Sequence, residues 1–218
     1  MLYRFYRADQ MMFNVFHQRT ANAYQELAGK RKLLNALLCF LCGALAGLAL
    51  NNIIGATGLT ELSAGYREVA EHFWSGSVVF EILGPGLLIP LAEELLYRGI
   101  VYGRLSDWLG MPVAAVVSAV IFGGLHFNVV QFIYAFFIGL VLVFFLEKTH
   151  NLWGAVLGHM GANLLSVLRM ESGMLEWMDS SAAVCWAATV GMLLACVGLL
   201  LLLAGKKYGF RKSFPGKL

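Results

Sequence analysis

Six apolar stretches divide the chain, at approximately 33–52, 78–103, 111–126, 129–147, 152–169 and 182–204, with short polar links between them. Most approach the roughly 20 residues that carry a helix across the hydrocarbon core of a bilayer; the third is short. Inside lipid every backbone N–H and C=O must be paired within the protein, which leaves helices as the economical solution. The composition agrees, with 59% hydrophobic residues and only 13% charged, against about 25% charged in an ordinary soluble domain. The expected fold is an all-α polytopic integral membrane protein of about six transmembrane helices.

The remaining segments sort by charge. Residues 1–32 interleave Leu2, Phe5, Met12, Phe13 and Phe16 with Arg4, Arg7 and Arg19, the pattern of an amphipathic N-terminal segment on the cytoplasmic membrane face. A cleaved signal peptide is not expected, because the apolar stretch from Leu33 is too long and starts too late. The bundle occupies 33–204, and 205–218 is a basic cytoplasmic tail. Residues 61–74 form a second interfacial helix, with Trp74 at headgroup level. With the N-terminus in the cytoplasm and six alternating helices, 14 Lys and Arg fall inside and only Arg67 and Arg169 outside. This positive-inside bias predicts two cytoplasmic termini. Cys39, Cys42, Cys185 and Cys196 lie within apolar runs and read as lipid-facing or packing residues, since nothing completes Cys39-x-x-Cys42 as a metal site. No basic run with interleaved aromatics occurs in a soluble segment, so the partners expected are the bilayer and a peptide or protein substrate, not nucleic acid.

Hydropathy does not account for Glu93, Glu94 and Arg98 in the second stretch, His126 at the end of the third, or His159 and Asn163 in the fifth. A charge at the centre of a membrane helix costs about 2.5–3.5 kcal/mol on insertion scales, so such residues face a bundle interior or a wet cavity. Glu94 and Arg98 share a helix face at i, i+4 and form an ion pair. Glu93 is rotated by about 100° and is left free to take a proton, as a general base must be. His159 and Asn163 project from one face and bring two donors to one point, suited to a developing oxyanion or to orienting a metal-bound water. His126 follows Phe122 by one turn; taken alone it reads as a hydrogen-bonded interface histidine, and its company gives it weight. His17, His72 and His150 lie in terminal or loop segments and receive no role. Gly123, Gly124, Gly154, Gly158 and Gly161 permit close helix approach, and Pro85 and Pro90 disturb the helix upstream of the glutamates. The same polar set would also suit a proton or ion pathway of a transporter or channel, or a polar network in a non-catalytic scaffold.

Three motifs carry a resemblance. Glu93-Glu94-Leu-Leu-Tyr-Arg98 matches E-E-x-x-x-R, Phe122-Gly-Gly-Leu-His126 matches F-x-x-x-H, and His159-Met-Gly-Ala-Asn163 matches H-x-x-x-N/D. In this order they resemble the CPBP family of intramembrane proteases, which includes CAAX prenyl endopeptidases of the Rce1 type and Abi-type bacteriocin self-immunity proteins. The resemblance implies hydrolysis of a peptide bond in or beside the membrane. Glu93 assisted by His126 would activate water, His159 and Asn163 would form the oxyanion site, and Glu94, Arg98 and Phe122 would position the set. It also implies a multi-pass protein of a bacterial plasma membrane, active in peptide maturation or bacteriocin self-immunity. The family is customarily called metalloprotease. The chain has no H-E-x-x-H, but Glu93, His126 and His159 would supply three ligands to a zinc ion with an open position. A metal-independent glutamate mechanism is the expectation preferred here.

Overall fold

The computed structural model describes residues 29–73 and 77–205, and the elements are helical throughout. The amphipathic reading of the N-terminal segment up to residue 28, Trp74 and the basic tail beyond residue 205 lie outside the described residues. Helix α1 spans Gly29–Ala56 and is followed by two short helices, α2 (Leu59–Leu62) and α3 (Ala64–Phe73). A segmented run then extends over 78–109: α4 (Val78–Leu83), a π-helical stretch Gly84–Leu88, α5 (Ile89–Glu94), a second π-helical stretch Leu95–Tyr102, and α6 (Gly103–Leu109). We call this run the motif helix. The bundle is completed by α7 (Met111–Gly124), α8 (Val129–Thr149), α9 (Leu152–Ser172), a 3-10 turn at Glu176–Asp179, and α10 (Ala182–Ala204). The protein is an all-α polytopic membrane protein.

Local chemistry sets the boundaries. Asn128, Asn151 and Ser181 are N-caps whose side-chain oxygens accept from the N–H groups of Gln131, Trp153 and Val184, replacing partners the first helical turn lacks. Helix α9 stops where Gly173 takes a left-handed conformation at φ 61°, a backbone state in which glycine has no Cβ penalty. The interruption at Gly84–Leu88 contains Pro85 and Gly86 and is followed by Pro90, so the regular ladder loses a donor there.

Among the described residues, three helical segments are both long and apolar enough to cross a membrane alone: Leu33–Ala56 in α1, α8 and α10, with mean hydropathies of 2.3, 2.7 and 2.5. Helix α7 is apolar but has only 14 residues, about 21 Å at 1.5 Å per residue. The motif helix is broken, and α9 is long but carries polar residues. The core lies where α1, α8, α9 and α10 meet, and includes Leu38, Cys42, Leu142, Phe145, Ala162 and Cys196.

Small residues let α1 and α9 touch backbone to backbone. A Cβ on Gly43 would collide with the Gly158 carbonyl, and one on Gly161 with the Phe40 carbonyl. Gly123 approaches the Phe132 carbonyl in the same way, whereas Gly124 faces open space and is not a packing position. Cys39, Cys42 and Cys196 are buried and Cys185 is half-buried, and none of the four is in a disulfide.

Candidate active site

The motif helix, α7 and α9 each contribute one motif, and the structure brings the three together. Glu94 and Arg98 are fully buried, with Arg98 Nη1 donating to Glu94 Oε1 at 2.8 Å. Arg98 Nη2 donates to the Gly139 carbonyl of α8 at 3.2 Å, so one guanidinium ties the motif helix to a neighbour. Glu94 Oε1 also accepts from His159 Nδ1 at 2.9 Å. Because a carboxylate can only accept here, the Nδ1 proton is fixed and Nε2 is turned away from Glu94. The result is a relay, Arg98–Glu94–His159, across two helices.

His159 Nε2 points towards Glu93, 3.7 Å from Oε2. That separation is too long for a direct hydrogen bond and suits a shared water. The Glu93 side chain is 25% exposed, while that of Glu94 is 0% exposed. Of two adjacent carboxylates, then, one is sealed into an ion pair and the other reaches water. The i, i+4 argument for Glu94 and Arg98 and the rotation of Glu93 away from them describe what is seen.

His126 lies just beyond the end of α7, in a turn, and its Nδ1 donates to the Phe122 carbonyl at 2.9 Å. This hydrogen bond pairs a carbonyl that the helix end leaves free and keeps Nε2 available. The Phe122 ring, 2% exposed, gathers the set. His126 and His159 stand edge-on to it at 5.2 and 5.7 Å between centroids, Tyr97 does so at 4.9 Å, and Arg98 Cζ lies 4.4 Å above it. A cation over an aromatic face is attracted by the ring quadrupole. Both His126 and His159 are within electrostatic reach of Glu93.

Asn163 is one turn beyond His159, as its spacing requires, and its Nδ2 donates to the Pro85 carbonyl at 2.9 Å. It therefore uses one of its two N–H donors on the motif helix. Among the described residues no three His, Cys, Asp or Glu side chains converge closely enough to hold a metal ion. Glu93, His126 and His159 thus do not make a ready three-ligand cage.

Sequence reasoning did not find the acceptors at Gly139 and Pro85, since backbone carbonyls carry no residue signature. It also passed over Arg169 except as an outer charge. In the structure Arg169 bonds Asn52 of α1 and donates to Asp179 at 2.8 and 3.0 Å, and Asn52 donates to Thr189 of α10 at 2.9 Å. The presence of Asn51 and Asn52 near the end of the first span was the available signal.

Comparison with known proteins bears on this half of the chain. Residues 75–165 match the family model for Type II CAAX prenyl endopeptidase Rce1-like proteins, a stretch that includes all three motifs. A Bacillus subtilis (strain 168) protein named "Putative membrane peptidase YdiL" is 22% identical over 106 residues, covering 49% of this chain and 43% of that protein. The chain spans less than half the length of that curated relative. No solved structure matches. Both matches are partial, and the match to the Rce1-like model falls on the segment that holds the three motifs.

Proposed function

We propose that the protein is an intramembrane endopeptidase of glutamate type, hydrolysing a peptide bond of a membrane-associated peptide or protein. The observation that carries this reading is the buried Arg98–Glu94–His159 relay, which presents His159 Nε2 to the water-accessible Glu93 carboxylate at 3.7 Å. Water held between them loses a proton to Glu93 as it attacks the scissile carbonyl. His126, with Nε2 free, assists by accepting a hydrogen bond from the same water, and Glu93 returns the proton to the leaving amine. The oxyanion is met by His159 Nε2–H, in the ring form for which Glu94 is the counter-charge, and by the second N–H of Asn163. Glu94, Arg98 and Phe122 touch no reacting atom in this scheme and act by holding His159 and the motif helix.

Zinc on Glu93, His126 and His159 is not required by this mechanism. We further propose six crossings with both termini in the cytoplasm of a bacterial plasma membrane, and a role in peptide maturation or bacteriocin self-immunity. The test of function is cleavage of a peptide library by purified protein, wild type against Glu93→Gln. Site-dependent products from the wild type alone are expected. Identical products from both proteins would remove Glu93 as the base. Reporter fusions at residues 1 and 218 test the topology, and an outward reading at either end would overturn it.

A further inference from the structure

The π-helical stretch Gly84–Leu88 contains an unpaired position. The Ile89 N–H donates to the Gly84 carbonyl, an i to i−5 bond. The next rung of this ladder would join the Pro85 carbonyl to residue 90. Residue 90 is proline and has no N–H. The Pro85 carbonyl is thus left without its backbone donor in a buried part of the helix, and a buried carbonyl without a partner is costly. The donor that fills this place is Asn163 Nδ2 of α9, at 2.9 Å. Since a carbonyl can only accept, this bond also fixes which end of the Asn163 amide is nitrogen. Asn163 is half-buried, and its side chain makes no other hydrogen bond among the described residues.

We infer that Pro90 is a positioning residue: by withholding a backbone N–H it frees the Pro85 carbonyl to anchor the Asn163 amide, which sets the direction of the second Asn163 N–H. This rests on the proposed role of Asn163 at the oxyanion only for its effect on turnover; the anchoring itself is a statement about stability. Any non-proline residue at 90 brings an N–H that competes for the Pro85 carbonyl, and the amide loses its fixed orientation. Pro85 has no such part, because its contribution is a backbone carbonyl that any residue would supply.

A double-mutant cycle tests the inference, read by melting temperature in detergent. Asn163→Ala in the wild-type background strands the Pro85 carbonyl and should lower the melting temperature by about 2–4 °C or more. In a Pro90→Ala or Pro90→Leu background the same change should cost almost nothing, because the new N–H takes the carbonyl. In a Pro85→Ala background the cost should be unchanged, which separates the missing donor from a general effect of prolines on bending. Equal cost in all backgrounds, or no cost in any, overturns the proposal. So does failure of both Pro90 variants to fold, since the inference gives Pro90 no part in folding beyond withholding an N–H. For turnover, Pro90→Ala should lower kcat by about tenfold with KM unchanged, given that a misplacement of 1 Å can cost up to about 100-fold. Unchanged kcat overturns the positioning role. If the wild type cleaves no peptide, the protease reading fails while the stability cycle still decides whether the anchor exists.

Discussion

The three helices that hydropathy marks as spans and the three segments that carry motifs are built on different principles. Helices α1, α8 and α10 are continuous and strongly apolar. They are held mainly by contact, with Gly43 of α1 against the Gly158 carbonyl of α9 and Phe145 of α8 on Gly158; the polar tie of Asn52 to Thr189 of α10 and to Arg169 of α9 lies near the end of α1. The motif helix, α7 and α9 are broken, short or polar in composition, and are held by directed bonds. Arg98 reaches Glu94 and Gly139, Glu94 reaches His159, and Asn163 reaches Pro85. Helix α9 takes part in both. One face is stripped to glycine and alanine against α1, and another presents His159 and Asn163. Van der Waals packing suits helices that meet lipid, because lipid offers no hydrophobic drive for them to associate. Directed bonds suit helices that must fix a reacting water, because orientation is what they supply. Mutations on the two sides should therefore fail differently.

The largest expected effect is functional and falls on the motif side. Glu93→Gln keeps the shape of the side chain and removes the proton acceptor. Cleavage should fall by about 100- to 10,000-fold, the usual span of general-base catalysis. Melting temperature should stay near the wild-type value, since Glu93 is partly exposed and its 3.7 Å approach to His159 is too long for a direct hydrogen bond. A stable protein that still cleaves at the wild-type rate would place the base elsewhere.

Next comes a stability effect on the same side. Arg98→Ala leaves the Glu94 carboxylate fully buried with only His159 beside it, a loss of about 3–5 kcal/mol for a broken buried pair. Thermal unfolding in detergent should shift sharply downward and activity should disappear with it. A melting curve that overlays the wild type would mean the relay is not structural.

On the packing side the expected effect is smaller. Gly43→Val pushes a branched side chain into the Gly158 backbone, and overpacking of this kind costs about 1–3 kcal/mol. Helices α1 and α9 must separate slightly, so His159 shifts and cleavage drops in proportion to the loss of stability. Should Gly43→Val lose activity as completely as Arg98→Ala while melting normally, the division between packing helices and motif helices would be wrong.

This division also explains what was legible in the sequence. Glu93, Glu94, Arg98, His159 and Asn163 stood out because polar groups in apolar runs are expensive, and helical spacing alone separated the paired glutamate from the free one. Glycines at 43 and 124 show the opposite case. Spacing cannot tell which of them meets another backbone, and Gly124 meets none. His126 was expected at the end of a span, yet α7 stops at Gly124 and a turn carries the ring back to Phe122. The π-helical stretches were not legible either. Proline announced a disturbance, but the donor that meets the Pro85 carbonyl there comes from Asn163 of α9, 78 residues away, which spacing along one helix does not show.

The smallest expected effect is that of removing metal. Tetrahedral zinc is held at about 2.0–2.2 Å by nitrogen and oxygen ligands, and a stable site needs three protein ligands on one point. Here Glu93 and His159 approach each other at 3.7 Å, while His126 does not join them in a three-donor group among the described residues. Its Nδ1 is committed to the Phe122 carbonyl, which holds the ring against Phe122. A mechanism resting on the Glu93 carboxylate should survive prolonged dialysis against a chelator with its rate unchanged, and added zinc should bring no gain. The measurement is peptide cleavage before chelation, after it, and after titration with zinc, alongside the metal content of the purified protein. Activity lost on chelation and restored at one zinc per chain would mean that His126 swings in to complete the site. The glutamate mechanism would then give way to one in which Glu93, His126 and His159 would hold the zinc, which would supply Lewis-acid chemistry, with Glu94 positioning His159.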